Sequence, residues 1–157
     1  MRFFRQLVIA ILLFTMMKTY SYPTVIPSAS MVPTLLVNDY AFYSKTKDVK
    51  PGDIILLKLD EVNSFYTKRV IAMGEGVTVE VKLDGVYVNE EKLKDEFSTK
   101  SQGYGMEKIT LKEGEIFVMG DNRTNSSDSR VFGPIDTSEV RGKLLLKIPF
   151  GKIIEED

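Results

Sequence analysis

No cysteine and no histidine occur in the 157 residues. Without cysteine there is no disulfide, no thiol nucleophile and no zinc–thiolate site. That absence fits either side of a membrane and so does not fix the redox compartment. The absence of histidine excludes Ser-His and Cys-His catalysis and the usual histidine metal sites. A hydrolase made from this chain must draw its base from a carboxylate, a lysine, a tyrosine or a terminal amine. Acids are also missing from one end. Arg2, Arg5 and Lys18 all precede the first acid, Asp39, and setting them aside leaves 18 basic against 22 acidic side chains. The remainder is therefore acidic, which argues against a nucleic-acid binder with a basic face. No metal or cofactor is called for by what is left.

The chain is long enough for one domain with a real core. Its hydrophobic share of 43% and charged share of 27% are ordinary for a folded protein. Residues 7–17 are apolar apart from Thr15, with Phe3 and Phe4 just upstream. Taken strictly, this run has the length of a signal-peptide core. Extended over residues 3–22, with Arg5 and Lys18 reaching towards the headgroups, it approaches the roughly 20 residues that cross a bilayer. A buried helix of a soluble fold is a third reading. Ser28-Ala29-Ser30 is a poor cleavage site, so an uncleaved membrane anchor over residues 1–22 is favoured, followed by a β-rich domain over residues 23–157. Arginines ahead of the anchor put the N-terminus in the cytoplasm and the domain outside, at the cell membrane.

Beyond the anchor the pattern is one of strands. Asn38-Asp39, Pro51-Gly52-Asp53, Asp84-Gly85 and Glu113-Gly114 mark turns. Between them lie β-prone runs at residues 40–43, 54–59, 65–73, 77–81, 86–88, 109–111, 115–119 and 143–148. Residues 90–104 are polar and read as a mobile surface excursion. Residues 136–140 can make a helical turn. Ile148, Pro149 and Phe150, with Ile153 and Ile154, read as core and terminus rather than as a membrane-facing patch. The fold class expected is mostly β, a coiled, barrel-like antiparallel domain preceded by one transmembrane helix.

Three segments carry chemistry. In Ile26-Pro27-Ser28-Ala29-Ser30-Met31-Val32-Pro33, two prolines bracket two serines and restrict their backbone. This predicts a stiff, extended segment, which suits a nucleophile; a plain Ser/Pro loop is the alternative. Lys68 and Arg69 are adjacent on a strand, so their side chains point to opposite faces, one inward and one wet. A desolvated Lys68 would have a lowered pKa and could take a proton from a hydroxyl; an edge lysine that discourages aggregation is the alternative. The third segment runs from Gly120-Asp121-Asn122-Arg123 to Ser129-Arg130. Asp128 can hold Arg130 or Arg123 in a fork-like pair, and Asn122 and Asn125 can bind backbone amides. Such networks commonly brace a site.

Ser28 to Leu35, Lys68-Arg69-Val70 and Gly120-Asp121-Asn122-Arg123 through Ser129-Arg130 resemble, in order and spacing, the motifs of the bacterial type I signal peptidases. Pro51-Gly52-Asp53 and Asp84-Gly85-Val86-Tyr87-Val88-Asn89 extend the resemblance along nearly the whole chain. It implies a Ser-Lys serine endopeptidase, with Ser30 as nucleophile and Lys68 as general base. The Ser28 hydroxyl and the Ser30 N–H would form the oxyanion hole. Ser126 would orient Lys68, while Asp128, Arg130 and Asp121 would brace the site. Ile26 and Thr67 would line pockets for small substrate side chains. The partners implied are the lipid bilayer and preprotein signal peptides with small residues at −1 and −3. Residues 71–76 lack the family's usual Pro-Gly-Asp turn, and the stretch from Val77 to Glu115 is too short for the extra domain of larger relatives. Two rivals stand beside this reading: a Ser-Lys protease dedicated to a single partner, and a non-catalytic tethered β domain that binds extended peptides.

Overall fold

The computed structural model describes residues 2–59, 64–98 and 102–151. A helix, α1 (Arg2–Tyr20), runs without a linker into strand β1 (Ser21–Val25). The other strands are β2 (Tyr40–Ser44), β3 (Ile54–Leu59), β4 (Ser64–Met73), β5 (Thr78–Lys82), β6 (Gly85–Val88), β7 (Glu91–Lys92), β8 (Met106–Thr110), β9 (Glu115–Met119), β10 (Ile135–Asp136) and β11 (Val140–Ile148). A short helix, α2 (Ser129–Phe132), precedes β10. A 3-10 turn spans Thr137–Glu139, where a helical turn was expected.

Seven strands form the main sheet, in the spatial order β1-β2-β11-β3-β4-β9-β10, every pair antiparallel. β3 shows why its sequence is an unbroken apolar run. Ile55 and Leu57 join a cluster with Val70, Ile116, Val118 and Val140. The alternate residues Ile54 and Leu56 join Ile26, Met31, Leu35, Ala41 and Tyr43. A strand buried on both faces needs no polar alternation. The register slips in β4 between Val70 and Ala72, and in β11 at two places. Irregularities of this kind bend a strand and increase its local twist.

β5 to β8 form a second sheet, in the order β7-β6-β5-β8. Val79, Val81 and Val86 pack there against Ile71, Phe117 and Met119 of β4 and β9. So residues 77–115, too short for a separate large domain, build a small sheet that shares the core of the first.

Three expectations need correction. Residues 90–104 are not a loose excursion over the described part: they contain β7, and Gln102 is buried. Ile148 and Phe150 are exposed rather than core, because the last turn of β11 pairs only with β2 and runs past the packed layers. The chain beyond is held by backbone hydrogen bonds instead: Asp39 Oδ1 accepts the Phe150 and Gly151 N–H groups, both at 2.9 Å. Ile153 and Ile154 lie outside the described residues. Third, Ser28 is extended, but Ser30 sits in a 3-10 turn, Ala29–Met31, closed by Val32 N–H donating to the Ala29 carbonyl.

All described side chains of α1 are exposed. Among the described residues no helix is long and apolar enough to cross a membrane.

Candidate active site

Met31 and Leu35 are buried in the cluster beneath the 3-10 turn, and they fix the turn that carries Ser30. From above, the Asn122 N–H donates to the Ser30 carbonyl at 3.0 Å, and Asn122 Nδ2 donates to the Ala29 carbonyl at 3.2 Å. Ser30 is thus clamped between an apolar floor and the loop that follows β9. Gly120, at the start of that loop, approaches so closely that a Cβ there would land on the Ser30 carbonyl oxygen and on the Ser126 hydroxyl. Only glycine fits.

Lys68 is buried on β4, and its Nζ donates to Ser30 Oγ at 2.9 Å. Burial pulls its pKa down to about 8, with Arg130 adding to the depression while Asp128 and Asp121 oppose it. The Ser28 hydroxyl also reaches Ser30 Oγ, at 3.3 Å. Ser126 borders the same cleft, but its buried hydroxyl makes no hydrogen bond to Lys68.

Arg69 is buried too, contrary to the expectation that one of the two cations stays wet. Its charge is matched. Nε donates to Asp121 Oδ1 at 2.8 Å and Nη2 to Oδ2 at 2.6 Å. Nη1 donates to the Gly52 carbonyl at 2.8 Å, and the Thr34 hydroxyl donates to Asp121 Oδ2. One fork therefore joins the turn before β3, the serine segment, β4 and the loop after β9.

Asp128 pairs with Arg130, and not with Arg123. It accepts Arg130 Nε and Nη2, both at 2.9 Å, and the Gly120 N–H at 2.9 Å, while capping α2 through the Arg130 N–H. Burial alone would raise its carboxyl pKa; these donors more than offset that and hold it below the usual carboxylate range. Arg123 instead pairs with Asp95 and donates to Gln102 Oε1 at 2.7 Å.

The Ser30–Lys68 pair opens on two sides. One cleft, of about 310 Å³, is lined by Thr24, Val25, Ile26, Ser28, Thr67 and Lys68 among others. The second is bordered by Tyr66, Asn125, Ser126 and Ser127. Ile26 and Thr67 therefore share one opening, with Thr67 Oγ1 2.8 Å from the Tyr43 hydroxyl.

The family profile described as signal peptidase, peptidase S26, matches residues 1–148. The chain belongs to this family. A signal peptidase I of Bacillus licheniformis is 32% identical over 170 residues, covering 98% of this chain and 91% of that relative. A probable signal peptidase I-1 of Synechocystis is 33% identical over 154 residues, covering 90% and 78%. The crystal structure of a signal peptidase I from Enterococcus faecalis superposes with a TM-score of 0.51 at 30% identity, covering 62% of this chain and 97% of that one. As a member of the signal peptidase family, the chain brings Ser28, Ser30, Lys68 and Ser126 around one cleft, with the Asp121 and Asp128 pairs behind it. Sequence reasoning did not single out Gly120 or Thr34, or the contacts of Asp95, Phe97 and Gln102. Gly120 could have been found, since a glycine beside a dense polar loop often marks a close backbone approach. Thr34 lay inside the Ser28 to Leu35 motif without a role of its own, and Asp95, Phe97 and Gln102 lie in a polar stretch without periodicity that carried no signal.

Proposed function

We propose that this chain is a membrane-anchored serine endopeptidase that removes N-terminal signal peptides from exported preproteins, with Ser30 as nucleophile and Lys68 as general base. The observation that carries the reading is the buried Lys68 Nζ at 2.9 Å from Ser30 Oγ. In its neutral form the amine accepts the Ser30 proton as Oγ attacks the scissile carbonyl. The Ser28 hydroxyl and Ser30 N–H stabilise the oxyanion that forms. The Lys68 ammonium then protonates the leaving amine, and the C–N bond breaks to leave an ester on Ser30. Water, giving its proton to Lys68, attacks that ester and releases the acid. The proton returns from Lys68 to Ser30. Asp121, Asp128 and Arg130 brace the site, and Ser126, which borders the same cleft as Lys68, orients the amine during the reaction.

The substrate lies as an added strand. Among the described residues no strand pairs with the outer edge of β4 over Ser64 to Lys68, since β9 pairs only from Arg69 onward. The cleft between this edge and Thr24 to Ile26 takes the residues before the cut, with small side chains at −1 and −3 against Ile26 and Thr67. The opening at Asn125 to Ser127 receives the leaving side. The anchor is α1, whose exposed Phe3, Phe4, Leu7, Ile11 and Leu12 find no protein to cover them and suit a lipid surround. The domain then stands on the extracytoplasmic face of the cell membrane.

Mass spectrometry of a preprotein incubated with the detergent-solubilised full chain tests the proposal. Cleavage after a small-x-small site, absent with Ser30→Ala, is expected; an intact preprotein, or equal cleavage by Ser30→Ala, overturns it. A second expectation concerns pH. Only the neutral amine is a base, so kcat/KM rises with pH, about tenfold per unit below the Lys68 pKa. It levels off above about 8. A rate that is flat through this range removes the lysine base. Gly120→Ala is expected to fold but to lose about 100-fold in kcat, because the added methyl displaces Ser30.

A further inference from the structure

The second sheet contributes no side chain to the dyad, yet the connection between β7 and β8 crosses to the loop that braces it. Four of its residues meet that bracing directly. Asp95 pairs with the buried Arg123. The Phe97 ring lies over the Arg69 guanidinium, 3.8 Å from its carbon. Gln102, itself buried, accepts Arg123 Nη1 on its side chain and Arg130 Nη1 on its carbonyl at 2.6 Å. The Tyr104 ring covers Arg130 at 4.9 Å. Between the last two, Gly103 adopts a φ of +78°, and a Cβ there would press on the Arg123 carbonyl. Every arginine behind the site is therefore capped by this one connection.

We propose that residues 95–97 and 102–104, the described parts of the connection between β7 and β8, form a strap that keeps the arginine–aspartate pairs behind Lys68 dry and in place, and that Phe97, Gln102 and Tyr104 are positioning residues for the peptide hydrolysis proposed above. The physical case is one of shielding. The charged groups facing Lys68 are Asp121, Asp128 and Arg130, all from the loop after β9 and α2, with the Tyr66 ring of its own strand 5.8 Å away. Arg69, its neighbour on β4, is neutralised by Asp121. Asp121 and Asp128 face Lys68 as fixed carboxylates only while Arg69 and Arg130 hold them. Water admitted beside Arg69 or Arg130 loosens those forks and hydrates the lysine head. Burial is the leading cause of the depressed Lys68 pKa, so hydration returns the amine towards an ordinary lysine. The strap thus acts on how much free base is present at neutral pH, without touching substrate.

The proposal rests on the Ser-Lys reading, and its test separates the two. Phe97→Ala, Gln102→Ala and Tyr104→Ala are made in the full chain in detergent micelles, with lysine Nζ isotopically labelled. Folding is checked by circular dichroism; Tyr104, which is exposed, serves if the Phe97 or the buried Gln102 variant fails to fold. The Lys68 titration is followed by NMR, and kcat/KM for preprotein cleavage is measured across the same pH range. The expected result is a Lys68 midpoint raised by about half a pH unit or more. Activity should fall at neutral pH and return towards wild type in alkaline buffer. A folded variant whose Lys68 midpoint does not move, or whose activity falls equally at every pH, overturns the strap. If the wild-type chain cleaves no preprotein, the function reading fails, while the Lys68 titration still decides the strap.

Discussion

Lys68→Arg is expected to cleave preprotein roughly four orders of magnitude more slowly than wild type, as slowly as Ser30→Ala. Arginine keeps the positive charge and much of the length, so it tests one property alone. A guanidinium does not lose its proton at working pH and cannot receive one from Ser30. Lys68→Ala is expected to be equally slow. Its activity should also stop following the alkaline rise seen in wild type, because no amine is left to titrate near 8. In the proposed mechanism the two residues act as a unit, so Ser30→Ala/Lys68→Ala should be no slower than either single variant. Single-turnover assays with an intact preprotein measure all four. Substantial cleavage by Lys68→Arg at neutral pH would mean that another group takes the proton.

Asp121→Ala is expected to be strongly destabilising although it lies outside the apolar core. It strands the Arg69 guanidinium, which is buried and donates two hydrogen bonds to that carboxylate. Removing one partner of a buried pair typically costs about 3–5 kcal/mol, because the remaining charge has neither water nor counter-ion. The same change frees the Thr34 hydroxyl beside the serine segment. Urea unfolding should show a large drop in midpoint with little change in slope. As a contrast, Asp84→Ala breaks only exposed contacts, with Lys92 and with the Tyr87 hydroxyl, and should leave the midpoint nearly where it is. If the two variants unfold together, the Arg69 fork contributes nothing special.

The strands were legible because their signals are local. The run at 54–59 follows a Gly turn and that at 115–119 lies between Gly114 and Gly120, and the structure ends β3 and β9 at those residues. Ser30 and Lys68 stood out through short motifs. The burial of Arg69 was not legible, because what makes it possible is distant. Asp121 lies 52 residues along the chain, and Phe97 sits in a stretch read as loose and polar. A local pattern says that one of two adjacent strand residues turns inward; it does not say that the outer face is covered as well. Ile148 and Phe150 misled in the opposite direction. Apolar residues after a strand read as core, yet whether they are buried depends on how far the neighbouring strands extend, and β2 alone accompanies β11 to that point. The Ser30 turn was missed because the prolines at 27 and 33 restrict their own neighbours but leave Ala29 to Met31 free to wind into one 3-10 turn.

Strand order has a consequence for biosynthesis. β11 lies between β2 and β3, so two strands formed within the first 59 residues have no direct contact as neighbours and wait for a strand made much later. During translation, the serine segment and Lys68 leave the ribosome long before the strand that joins their halves of the sheet. Contacts of such wide sequence separation form late and slowly. A nascent chain stalled before Val140 should therefore hold both reacting groups and still be inert, which postpones proteolysis until synthesis has passed Ile148.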